Sequence, residues 1–128
     1  MEIEILGKIK LVPMKDHFEV YEPLKFKVDG KEYLIKAKME TDLGSIPKVF
    51  RFIFDRFGVE TNSYVLHDFG YRVQPKGTDR KYWDNVLRSQ QKKDGVNWFK
   101  SYLIYKNLRL FGWIAWENNK KIKGELFG

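Results

Sequence analysis

The hydrophobic period changes once along this chain, and no other feature limits its fold so strongly. From about Lys8 to Met39 apolar and polar residues alternate, in "FEVYE", "LKFKV" and "KEYLIKA". That is the period of half-buried strands. Asp29-Gly30 separates two of these runs, and glycine there accepts the positive φ of a tight hairpin turn. On the strand after the turn, Tyr33, Ile35 and Ala37 share one face. After Pro47 the spacing becomes helical. "PKVFRFIFDRF" aligns Val49, Phe50, Ile53, Phe54 and Phe57 on one stripe, with Gly58 as terminator. The pattern predicts a second helix from about Thr61 to Val73, stopped by Pro75 and Gly77. A third starts from Thr78 or Asp79 as N-cap and ends near Lys93, before Asp94-Gly95. The fourth, from Asn97 to about Trp113, is apolar on nearly every side and is expected at the centre of the core. Strands followed by helices give an α+β fold: an N-terminal antiparallel β-hairpin or small sheet packed on a C-terminal bundle of about four helices.

A length of 128 residues suits a single domain spanning 1–128. The absence of cysteine excludes disulfides and thiolate metal sites. The opening "MEIEILGKIKLVPMK" lacks the apolar core of a signal peptide. No run approaches the ~18 apolar residues of a membrane span, so a soluble chain made in a cytoplasm is expected. The net charge of +7 comes from scattered Lys and Arg, a pattern that reads as solubility. Without a helix-turn-helix, zinc or aromatic-basic RNA motif, no specific nucleic-acid binding is expected.

Several polar residues break the apolar pattern. In "SYVLHDFGYR", Tyr64, His67, Asp68 and Tyr71 follow i, i+3, i+4, i+7 spacing, while Leu66, Phe69 and Val73 take the side expected to face the core. A His-Asp pair there is either a satisfied structural histidine or a site on a rigid element. Between the last strand and the first helix, "TDLGSIP" supplies Thr41, Asp42, Gly44 and Ser45. Asp42 can make an Asx-turn and Ser45 can cap the helix that Pro47 opens, or both can serve a site. Asp84, in "DRKYWDNVL", can pair with Arg80 or Arg88, four residues away on either side. The second and third helices share a short connection, which makes them antiparallel neighbours and brings Asp84 within reach of His67.

"TDLGSIPKVF", "VLHDFGYR", "YWDNVL" and an aromatic helix with "LRLFGWIAW" together resemble a family of phage and prophage proteins catalogued as domain of unknown function 1353. The resemblance runs from about Phe26 to Trp116 and implies a viral or prophage origin. A shorter similarity is to the H-D-x-x-Y helix of phospholipase A2, matched here by His67, Asp68 and Tyr71. The glycine-rich calcium loop of those enzymes is absent, with "TDLGSIP" in its place. This similarity implies a candidate hydrolase in which His67 activates water and Asp84 orients it. Asp68 and Asp42 would hold a divalent cation such as calcium, and Tyr64 and Tyr71 would contact substrate. In a variant Ser45 is the nucleophile, although "DLGSIP" lacks the G-x-S-x-G elbow. The alternative is a non-enzymatic phage accessory or virion-associated protein of tail or assembly type. Its polar cluster would be structural, and Trp113 and Trp116 would anchor a partner. The phage resemblance implies the host cytoplasm or the virion as location and other phage or host proteins as partners.

Overall fold

Six short strands, described with the rest of residues 1–41 and 60–127 in a computed structural model, form two antiparallel sheets. In the first, β4 (Leu24–Val28) lies between β1 (Ile3–Leu6) and β5 (Lys31–Ile35). In the second, β3 (Phe18–Val20) lies between β2 (Leu11–Pro13) and β6 (Glu40–Thr41). The β4–β5 hairpin closes through Asp29 at φ 49° and Gly30 at φ 84°, the left-handed pair that a two-residue turn requires. Its alternation buries Leu24, Phe26, Val28, Tyr33 and Ile35 on one face. β1 lies before the expected strand region. Four residues of "IEIL" carry little periodicity by themselves, and the strand is fixed by its pairing, Ile3 opposite Val28.

Three helices follow among the described residues, rather than about four: α1 (Thr61–Val73), α2 (Arg80–Lys93) and α3 (Trp98–Phe127). The helix expected over Val49–Phe57 lies outside the described residues. α1 ends where Gln74 turns to φ 48° and returns its N–H to Gly70 O, just before Pro75. α2 starts on Asp79, whose side chain accepts from Tyr82 N at 2.8 Å.

Three expectations about the helices are corrected. α3 continues past Trp113 to Phe127, since "IAWENNKKIK" contains no proline and Gly112 does not interrupt it. Nor is α3 the centre of the core. Trp98, Phe99, Leu110 and Trp113 are exposed, and of its described large apolar side chains Ile104 is the one in the fully buried set. That place belongs to α1, which packs against α2, α3 and β6 and buries Tyr64, Val65, Leu66, Phe69 and Tyr71. An apolar surface all round a helix thus does not fix its depth; the number of neighbours does. Val73, expected to face the core, stands exposed at the end of α1.

Aromatic rings join the first sheet to the helices. Phe26 meets Phe69 edge-on at 5.4 Å, and Tyr33 meets Trp83 at 5.2 Å, contacts worth about 0.5–1.5 kcal/mol each beyond burial. Trp83 lies directly on Gly70: a Cβ there would come within 2.0 Å of Trp83 Cδ2. The glycine is what lets α1 and α2 approach so closely. No helix among the described residues is long and apolar enough to cross a membrane.

Candidate functional site

The close approach of α1 and α2 sets His67 against Asp84. Asp84 is fully buried, so its carboxylate must be either paired or protonated. It is paired on both oxygens. Oδ1 accepts from His67 Nε2 at 2.8 Å and from the Tyr71 hydroxyl at 2.6 Å. Oδ2 accepts from Arg109 Nη1 of α3 at 2.7 Å, and Arg80 Nη1, one helical turn earlier in α2, lies 3.6 Å away. Burial pushes the Asp84 carboxyl up, but the hydrogen bonds from His67, Tyr71 and Arg109 and the charge of His67 outweigh it. The group is held below the usual carboxylate range.

An ionised Asp84 accepts and does not donate, so the hydrogen of this pair sits on His67 Nε2. The other ring nitrogen, Nδ1, makes no hydrogen bond among the described residues. The ring itself is 7% exposed and lies 4.1 Å from the Tyr71 ring, centre to centre. Burial, then the charge of Asp84, raises the Tyr71 hydroxyl far above its ordinary value, so it remains a donor throughout the accessible range. Room for that hydroxyl comes from α3. A Cβ on Gly112 would lie 2.6 Å from Tyr71 Oη and 3.2 Å from Arg80 Nη1. Arg80 is held in turn by the carbonyls of Leu108 at 2.7 Å and Arg109 at 3.1 Å. The arrangement is a fixed carboxylate behind an imidazole, which is the chemistry of an oriented base.

The remaining expected site residues that are described lie elsewhere. Asp68 turns away from the pair toward β6, where Thr41 Oγ1 donates to its Oδ2. Tyr64 is buried, and its hydroxyl donates to Glu60 Oε2 at 3.4 Å. Glu60, equally buried, meets Lys100 Nζ at 2.5 Å. Asp42 and Ser45 lie outside the described residues, as does Gly44. Arg88, weighed as a partner of Asp84, instead stacks its guanidinium 5.0 Å from the Tyr105 ring. Arg109 was not anticipated. Its one signal in the sequence is a cation set between Leu108 and Leu110 in an apolar helix, and only the orientation of α3 gives that signal meaning.

A family described as "Protein of unknown function (DUF1353)" matches residues 18–108. The matched stretch holds His67, Tyr71, Arg80 and Asp84, and Arg109 is the first residue beyond it. No curated protein and no solved structure matches the chain.

Proposed function

The chain belongs to the DUF1353 family, a family of unknown function, and from the geometry of its site we propose that it is a small hydrolase with His67 as general base. The observation that carries this reading is the division of labour on the His67 ring. Nε2–H is committed to an ionised, buried Asp84, which leaves the Nδ1 lone pair to take a proton from water. Asp84 keeps its own charge, holds the tautomer and stabilises the imidazolium that forms. Tyr71 and Arg109 act as positioning residues through Asp84. The groups of three or more metal-ligating side chains among the described residues do not include Asp68. Asp42, the other carboxylate that would hold the calcium implied by the resemblance, lies outside the described residues, and no step is derived through the ion. Ser45 as nucleophile belongs to the same proposal only as a variant.

A second reading has its own observation. Asp84 receives side chains from α1, its own α2 and α3, which is how a structural clasp between three helices would be built. This favours the non-enzymatic phage accessory or virion-associated protein, acting in the host cytoplasm or virion.

One experiment separates the two. The chain has two histidines, so His17→Gln leaves His67 as the sole imidazole for diethyl pyrocarbonate. The hydrolase reading expects carbethoxylation of His67 in the folded protein. It also expects turnover of chromogenic carboxylic or phosphate esters that falls about 10²–10⁴-fold in His67→Gln and Asp84→Asn. An inert His67, or turnover indifferent to His67→Gln, leaves the structural clasp.

A further inference from the structure

The other histidine stands immediately before β3 of the second sheet, in surroundings opposite to those of His67. Val20 of β3 is buried and Phe18 packs against the core, so by strand alternation Glu19 faces outward, and the His17 ring, from the bend just before the strand, lies beside it. Glu40 of β6 pairs directly with Glu19 of β3. Two like charges facing each other across strands destabilise a sheet unless a cation lies between them. In a chain of net charge +7 such a cation would be easy to supply, yet among the described residues neither glutamate has a Lys or Arg partner. Glu22 and Glu32, by contrast, each have a lysine, at 3.1 and 3.7 Å.

What these glutamates face is the imidazole of His17. Nε2 lies 3.7 Å from Glu19 Oε2 and 3.9 Å from Glu40 Oε1, beyond hydrogen-bond length. That nitrogen is also inaccessible to solvent and has no hydrogen-bond partner. Nδ1 is meanwhile 2.8 Å from Asp16 Oδ1. With the ring neutral, the Asp16 contact places the hydrogen on Nδ1 and turns the Nε2 lone pair toward the gap between the glutamates. A carboxylate behind a ligating histidine is the usual outer support of a metal site.

We propose that His17, Glu19 and Glu40 bind a divalent transition-metal ion of the zinc class, with Asp16 as the residue that orients the imidazole. The three donor atoms lie within 4.8 Å of one another. Bonds of ~2.0–2.1 Å in a tetrahedron place donors roughly 3.4 Å apart, so closure on an ion needs a movement of the glutamate oxygens, by about half an ångström toward Nε2 and by up to about 1.4 Å toward each other. The glutamate side chains are 27% and 57% exposed and free to make it. One nitrogen and two oxygens suit zinc or a neighbouring metal better than calcium, which takes six to eight oxygens. Three protein ligands leave a coordination position open. The site is separate from His67 and does not depend on the hydrolase reading.

The test is calorimetric titration of zinc chloride into the full chain after chelator treatment, in neutral buffer. One equivalent should bind. His17→Gln, Glu19→Gln and Glu40→Gln should each weaken binding about tenfold or more, as should Asp16→Asn, and His67→Gln should leave it unchanged. Absence of binding, binding indifferent to His17→Gln, or equal binding of calcium at the same residues would overturn the proposal. Should a variant fold poorly, nitrogen NMR of the parent decides. Zinc should shift the His17 ring resonances alone, and a shift confined to His67 would place the metal elsewhere.

Discussion

His67 and His17 both lie against carboxylates, but the chain completes one arrangement and leaves the other open. Around Asp84 of α2, donors from α1 and α3 satisfy both oxygens within 2.8 Å. Around His17, the nearest oxygens of Glu19 and Glu40 stand 3.7 and 3.9 Å from a nitrogen without a partner. Burial explains the difference. An unpaired charge in the interior costs several kcal/mol, so the core persists only with its network closed. On the outer face of a three-stranded sheet water screens the charges, and an incomplete cluster is tolerated. Incompleteness at a surface thus points toward a ligand, whereas completeness in a core is compatible with either architecture or catalysis.

The largest effect should come from breaking the closed network. Asp84→Ala strands Arg109 and His67 against the core and should cost about 3–5 kcal/mol, the range for removing one partner of a buried ion pair. Glu40→Ala in metal-free protein relieves a like-charge pair and should leave the stability almost unchanged. Urea unfolding of both variants checks the contrast. A loss below about 1 kcal/mol for Asp84→Ala would place that carboxylate among the solvated pairs.

Next come two glycines that admit a side chain into tight space. Gly70→Ala puts a Cβ against the Trp83 ring, and Gly112→Ala puts one against Tyr71 Oη and Arg80. Each should cost about 1–3 kcal/mol through overpacking, but by different routes. Gly70→Ala disturbs the α1–α2 contact whatever Tyr71 does. Gly112→Ala acts by pushing the Tyr71 hydroxyl off Asp84, so its cost should largely vanish in a Tyr71→Phe background. Additive costs in that double-mutant cycle would show that the hydroxyl is not what Gly112 accommodates.

The sequence reveals the parts of this arrangement that are local. Asp29-Gly30, the Asp79 cap and the Pro75 stop act on their own neighbours, so strand and helix limits follow from them. His67 and Asp84 were readable as partners because a short connection between two helices leaves few ways for them to pack. Arg109 lies 25 residues beyond Asp84, and nothing local says which side of α3 turns inward when apolar residues line all of it. The Glu19–Glu40 pair was hidden for a related reason. β6 is two residues long and has no periodicity, so its register exists only through β3. Asp42 and Ser45, the loop half of the expected site, lie outside the described residues.

Acid should act on the closed network in one direction. The Asp84 carboxyl is depressed in the folded state by its donors against the opposing effect of burial. Its contribution to stability is therefore complete above the unfolded value of about 3.9 and is lost as pH falls through the lower folded value. The stability gap between the parent and Asp84→Asn should be flat through neutral pH and narrow only below about pH 4. Urea melts over an acid series would show this. A gap that closes near pH 6 would instead assign the titration to a histidine.

His17 should respond in the opposite direction, and most weakly. Its hydrogen bond to Asp16, ahead of the charges of Glu40 and Asp16, raises the imidazole above its ordinary value despite desolvation. A raised group stabilises fully below the unfolded value, about 6.5, and loses that contribution as pH rises through the folded value. In chelator, the melting temperature of the parent should therefore exceed that of His17→Gln slightly under mildly acidic conditions, and the difference should fade in alkaline buffer. Solvent screening around this partly exposed ring and its exposed Asp16 and Glu40 partners keeps the effect small. Zinc should reverse the trend, because the metal competes with the proton for Nε2 and binds the neutral ring. With zinc present, the advantage of the parent over His17→Gln should grow as pH rises, by linkage between binding and folding. An advantage that fades with pH in zinc as it does in chelator would mean that a proton, and not a metal ion, fills the gap between Glu19 and Glu40.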